Sequence, residues 1–209
     1  MNLEMCINNF CMELNIISYD RFFDGEEEIV LKLMKDFNFL FHLRKPNSTL
    51  ENCKSFMQKI PSNMHKRIIL HNHYHLISQF DFKGLHYSTQ VRRNIPVISD
   101  YTSTSCHSVD ELTKLDGIFS QMFISPVFES ISKPGYASSF NLTTLNTFLL
   151  KARKSKIIAL GGINPENIKQ IKNSSFDGLA VLGSIWGNNP SSQEMMYNNV
   201  KQVIKSIEL

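Results

Sequence analysis

No run of apolar residues in this chain approaches the length needed to cross a bilayer, so a membrane-spanning helix is not an organising element. Cysteine is scarce and unpatterned. Cys6, Cys11, Cys53 and Cys106 form no CxxC pair and lack zinc-finger spacing, so reduced thiols in a cytosolic setting are the expectation. The stretch from Met1 to Met12 has no basic residue and no long apolar run, so it does not read as a signal peptide, and a cytoplasmic location is expected. An excess of one charge is also missing. The formal net charge is only +3, with both signs spread along the chain, which gives no reason to invoke nucleic acid or a membrane surface as partner. No proline-rich or low-complexity linker divides the 209 residues, so 1–209 is read as a single domain.

What is present is alternation. Short apolar runs of strand character occur at 14–18, 39–43, 67–71, 83–87, 96–99, 121–125, 156–160 and 178–182. Between them lie segments of helical character. Ile29, Val30, Leu33 and Met34 share one side of the first, and Leu50, Cys53, Phe56, Met57 and Ile60 form the stripe of the second, which Ser48 or Thr49 opens. Tyr74 to Phe80 reads as helical. Ser108 opens a short helix with Asp110 and Glu111 in its first turn, where negative charge is favoured. Further helices are expected from Thr143 to Lys154, from near Pro165 through Ile168 and Ile171, and through Val200, Val203 and Ile207. Eight strand–helix repeats in so short a chain imply a parallel sheet closed into a single (β/α)8 TIM barrel rather than an open doubly wound sheet.

In such barrels the active site lies at the carboxyl ends of the strands, with phosphate often held by the loops after strands seven and eight. Strand seven ends in Gly161-Gly162-Ile163 and strand eight in Gly183-Ser184-Ile185. Glycines allow close backbone approach, so these turns are the candidate phosphate site. Arg44, at the end of strand two, suits a bidentate phosphate contact. Ser103, Ser105 and His107 follow the fifth run, and Lys133 sits in a turn-rich loop after strand six, where it offers a point charge. The cluster His71-Asn72-His73-Tyr74-His75 would put three imidazoles on one face if extended. No carboxylate accompanies it, and a strand ending near His71 would point the histidines in different directions, so no metal site is assigned.

Read in order, these residues resemble the thiamine phosphate synthases and their relatives, the thiazole tautomerases. The likeness runs from about residue 14 to 186. It is carried by His42-Leu43-Arg44, Ser105-Cys106-His107, Ser125-Pro126-Val127-Phe128 with Ser132-Lys133, and Ala159-Leu160-Gly161-Gly162-Ile163. The resemblance implies a (β/α)8 barrel that joins hydroxymethylpyrimidine diphosphate to a thiazole phosphate: diphosphate leaves to give a pyrimidine carbocation, which the thiazole nitrogen attacks. It implies that Gly161, Gly162, Gly183 and Ser184 cradle the thiazole phosphate. Arg44, Asn72 and Lys133 would hold the diphosphate, with Lys45 and His73 beside them. Ser105 would lie beside the pyrimidine, with His107 close by.

The chain departs from that pattern where magnesium is expected. The aspartate that follows the matched asparagine is replaced by His73. The second metal-binding aspartate is missing after Gly84-Leu85-His86-Tyr87, where Ser88-Thr89-Gln90-Val91 follows, and Pro46 stands where the family has a lysine. Magnesium belongs to the synthase reading, yet both of its usual carboxylates are absent. A tautomerase moves a proton within a carboxythiazole phosphate and needs neither diphosphate nor metal. The histidine used as base in that branch corresponds to Pro126 here, leaving His107, His73 or His86 for the role. A non-catalytic module binding a phosphorylated ligand is the third reading. The expected partners are small phosphorylated substrates. Oligomeric state is left open, with a homodimer through the outer helices the pairing that barrels favour.

Overall fold

Eight parallel strands close into a barrel in the order β1-β2-β3-β4-β5-β6-β7-β8, in a computed structural model that describes residues 12–95, 99–128, 142–190 and 192–209. The strands are β1 (Glu13–Ile17), β2 (Leu40–Leu43), β3 (Ile68–Leu70), β4 (Gly84–Tyr87), β5 (Thr102–Cys106), β6 (Gln121–Ile124), β7 (Lys156–Leu160) and β8 (Gly178–Val181). The helices are α1 (Glu26–Asp36), α2 (Leu50–Lys59), α3 (Val109–Leu115), α4 (Leu142–Leu149), α5 (Ile168–Lys172), α6 (Gly183–Trp186) and α7 (Gln193–Glu208). Closure is made by β8 against β1, with Glu13 opposite Gly178 and Ile16 opposite Val181.

Local chemistry explains the helix starts. Thr49 accepts the Asn52 amide at the head of α2, and Ser108 accepts that of Glu111 at the head of α3. Glu26, Glu27 and Glu28 crowd the first turn of α1, where the helix dipole favours them. Successive strand residues face opposite sides, so each strand feeds two cores. Leu14, Ile16, Phe41, Leu43, Leu85, Met122, Ile157 and Leu179 belong to the core between barrel and helices. The barrel interior is different. One side holds a small apolar cluster of Ile17, Phe123, Ile158 and Ala180, and buried polar residues, Asn15, His42, His86, Ser103 and Gln121, come from β1, β2, β4, β5 and β6.

Four expectations change. Strand five is Thr102–Cys106 and not 96–99; Pro96, Val97 and Ile98 lie outside the described residues, and Ser99 is not in a strand. The true strand, Thr-Ser-Thr-Ser-Cys, lacks large aliphatic side chains because its inward residues serve hydrogen bonds rather than packing. Ser103 and Ser105 therefore sit in β5 itself. The segment after β3 forms only a 3-10 turn, Tyr74–Ser78, and α5 is confined to Ile168–Lys172. Helix α4 ends at Leu149, short of Lys154, and the Arg153 guanidinium there pairs with Asp177.

Candidate active site

The turns after β7 and β8 line one cleft of about 490 Å3, with Gly161, Gly162, Gly183 and Ser184 all on its wall. Gly161 and Gly162 take left-handed φ of 97° and 65°, which allows the chain to reverse tightly. Asn167 braces that turn, its side chain donating to the Gly162 carbonyl and accepting the Asn164 amide. Helix α6 is fixed from beneath: the buried Trp186 indole donates to the Ile17 carbonyl at 2.7 Å, and Asn199 donates to the Ile185 carbonyl. The amides of Gly183 and Ser184 open this helix and so have no acceptor within it. The Ser184 hydroxyl is buried without a hydrogen-bond partner among the described residues. An unpaired buried donor beside free amides is costly in an empty cleft and suits an anionic ligand.

Two strands round the ring from β8, at the end of β2, Arg44 is exposed and makes no ion pair among the described residues. Its backbone is gripped at both polar atoms by the Ser18 hydroxyl, so the side chain leaves a rigid strand end. Ser105 hydrogen-bonds His86 Nε2 at 3.0 Å. Lys133 lies outside the described residues.

Three expected ligand contacts are engaged elsewhere. Lys45 points into the protein, where its ammonium meets both Glu26 oxygens at 2.6 and 2.7 Å, donates to the Tyr19 and Arg21 carbonyls, and rests over the Phe22 ring. With its donors committed, Lys45 braces the β1–α1 loop and leaves the diphosphate set. Asn72 clamps the Lys45 backbone, donating to its carbonyl at 3.1 Å and facing its amide at 3.4 Å. His73, in the left-handed region at φ 53°, bonds the Ser48 carbonyl through Nε2. His107 is exposed, its amide bonded to Glu111 and its Nδ1 to the Ser125 carbonyl.

The sequence reading missed Arg92 and the histidine group. Arg92 reaches from the turn after β4 to the Ser105 carbonyl and pairs with Glu111. Inside the mouth, His42 of β2, His71 just past the end of β3 and His86 of β4 each offer a ring nitrogen within 4.8 Å of the others. His71 stacks on His86 with ring centroids 4.1 Å apart, and His42 Nδ1 meets His71 Nε2 at 2.9 Å. Burial holds all three well below the usual imidazole range, and His86, with Arg44 adding to the effect, is pushed down to about 3. Sequence proximity groups His71 with His73 and His75; strand register groups it with His42 and His86, since His42 pairs with Ile69 and Leu85 with Leu70.

A sequence model of the family described as thiamine monophosphate synthase matches residues 16–185. A thiamine-phosphate synthase of Anoxybacillus flavithermus is 24% identical over 108 residues, 51% of this chain and 48% of that protein. One of Syntrophomonas wolfei is 38% identical over 64 residues, 31% of this chain and 30% of that protein. The chain thus aligns with about half the length of these curated relatives, or less. Among solved structures, a thiamine phosphate pyrophosphorylase from Bacteroides thetaiotaomicron has a TM-score of 0.80 at 26% identity, covering 95% of this chain and 98% of the other. One from Pyrococcus furiosus has a TM-score of 0.73 at 17% identity, covering 94% and 96%, and shows likeness of fold. No helix of the described residues is long and apolar enough to cross a membrane.

Proposed function

The chain belongs to the thiamine monophosphate synthase family, and from that membership we propose that it is a transferase joining hydroxymethylpyrimidine diphosphate to a thiazole phosphate. The observation that carries the reading furthest is the cleft between the β7 and β8 turns, with four glycine and serine positions converging on it and the Ser184 hydroxyl unpaired among the described residues. That cleft takes the thiazole phosphate. Arg44 faces the diphosphate as a two-pronged donor, joined by Lys133, and Ser105 lies beside the pyrimidine. As the carbon–oxygen bond to diphosphate breaks, the leaving group departs with the electron pair, and these cations meet the charge that develops on it. The thiazole nitrogen then supplies its lone pair to the pyrimidine methylene carbon, forming the new carbon–nitrogen bond.

Magnesium, which synthases of this family use, does not suit the residues present. It demands hard oxygen ligands in near-octahedral arrangement. At the first expected position stands His73, whose Nε2 is bonded to the Ser48 carbonyl. Beyond β4, the Ser88 hydroxyl faces the Val91 amide, and the Arg92 guanidinium stands nearby as a fixed positive charge. No step is therefore assigned to magnesium.

The test is to mix both substrates with the purified chain, with magnesium and with a chelator. The expected result is diphosphate released in step with thiamine phosphate, transfer surviving chelation, and loss of transfer in Lys133→Ala with thiazole phosphate binding retained. Binding of thiazole phosphate without turnover would instead leave a ligand-binding module. A second reading is tautomerase action, with His86, whose Nε2 meets Ser105 at 3.0 Å inside the mouth, placed to exchange a proton with a bound ligand. Rearrangement of carboxythiazole phosphate without diphosphate release would favour it.

A further inference from the structure

We propose that His42, His71 and His86 form a binding site for a borderline transition-metal ion such as zinc or cobalt, set just inside the barrel mouth. The ring nitrogens come from β2, the end of β3 and β4, each within 4.8 Å of the other two. Three imidazoles with no carboxylate are a donor set that selects zinc, cobalt, nickel or copper and discriminates against magnesium and calcium. The inference does not rest on the transferase reading.

The surroundings prepare these rings as ligands. Metal-bound histidines as a rule commit their second nitrogen to a fixed acceptor. The Asn15 side-chain oxygen Oδ1 meets His42 Nε2 at 2.9 Å, so that nitrogen carries the proton and Nδ1 presents its lone pair toward His71. Ser103 meets His86 Nδ1 at 2.9 Å, which leaves Nε2, now shared with Ser105, facing the mouth. Phe123 packs edge-on against His42 and His86, walling the site from below. His71, the outermost of the three, keeps partial exposure and gives an ion its way in. A barrel interior is ordinarily filled by branched aliphatic side chains. Three imidazoles there sacrifice packing, and a ligand accounts for them.

Binding requires a defined rearrangement. Three nitrogens around a tetrahedral ion at about 2.0–2.1 Å lie roughly 3.4 Å from one another. The His42–His71 contact of 2.9 Å must open slightly, and His71 must leave its stack on His86 so that the lone pairs converge. The proton on His71 Nε2 transfers to Nδ1 as the ion takes its place, so the ring stays neutral. Arg44, close enough to disfavour charge on His71 and His86, opposes the ion; being exposed, it swings outward or is balanced by an anion at the open fourth position.

The experiment uses the full chain stripped with a chelator and titrated with cobalt at pH 7.5. One equivalent is expected to bind with the visible absorption of a four- or five-coordinate nitrogen site, to be displaced by zinc and left in place by millimolar magnesium. His71→Ala, at the exposed edge, is expected to fold normally by circular dichroism and to weaken cobalt binding at least tenfold. His75→Ala, on the exposed turn after β3, is expected to leave it unchanged. Should His42→Gln unfold the chain, His71→Gln supplies the second ligand-deleting variant. The absence of cobalt absorption, or equal affinity in wild type and both His71 variants, overturns the site. Neither outcome bears on diphosphate release, so the two readings fail independently.

Discussion

The buried pair of Lys45 and Glu26 shows how one residue acquires a role its position in the sequence does not announce. Its neighbour Arg44 points to solvent, as expected of a strand end, while Lys45, one residue on, turns inward. Removing one partner of a buried ion pair leaves a lone charge and costs about 3–5 kcal/mol. Lys45→Met is therefore expected to lose that much stability at pH 8. The penalty is pH-dependent, because burial already pushes Glu26 up to about 7. A carboxyl raised in the folded state is fully accommodated below about pH 4.5, loses stability by up to about 1.4 kcal/mol per unit as the pH climbs from there to its folded value, and loses no more above it. Urea unfolding of Lys45→Met at pH 5 and pH 8 checks this: the deficit shrinks toward pH 5. Ser184 gives the opposite case. Its hydroxyl has no partner to lose among the described residues, so Ser184→Ala is expected to leave stability unchanged or to raise it. A hydrogen bond to a charged ligand is worth about 1.5–3 kcal/mol, so thiazole phosphate affinity, read by calorimetry, falls tenfold or more.

At the scale of elements, the β7 turn joins stability to binding. A Cβ added at Gly161 would stand 2.8 Å from the Pro126 Cα, and its φ of 97° is strained for any other residue. The Pro126 segment is itself tied to β7, since the Val127 and Phe128 amides donate to the Leu160 and Gly161 carbonyls. Gly161→Ala is thus expected to cost about 1–3 kcal/mol in thermal melts and to weaken thiazole phosphate binding with it. This turn was legible in advance because glycine pairs after an apolar run have few other uses. Most strands were legible for a similar reason, their outward faces being continuous aliphatic surface. Strand β5 was not, since hydrogen bonding to His86 and Tyr87 had taken the place of aliphatic bulk. Asn72 and His73 were given to a ligand by the resemblance, but their side chains hold the backbone of the β2–α2 loop. Spacing along a chain reports which loop a residue occupies, and not whether its polar atoms are already spent.

For the whole molecule the decisive contact is the seam where the last strand meets the first. Every other strand pair joins neighbours in sequence, so only β8 against β1 converts a curved sheet into a closed ring. The seam depends on a missing side chain: a Cβ at Gly178 would lie 2.4 Å from the Glu13 carbonyl oxygen and 2.9 Å from the end of Ile158. Glu13 has little room to retreat, since its carboxylate pairs with Lys156 at 2.9 Å and accepts from Gln121. Gly178→Ala is therefore expected to cost at least about 2 kcal/mol in urea unfolding, the upper part of the range for overpacking. Gly187→Ala isolates backbone strain, because a Cβ there meets nothing within 4 Å and only the backbone resists, its φ of 64° and ψ of −160° being nearly confined to glycine, at about 1–3 kcal/mol. Gly178 itself has ordinary strand backbone, so a loss there below about 1 kcal/mol would mean that the seam shifts to admit the methyl group. A larger loss at Gly178 would place the weak point of the ring at β8, the strand whose end forms one wall of the anion cleft.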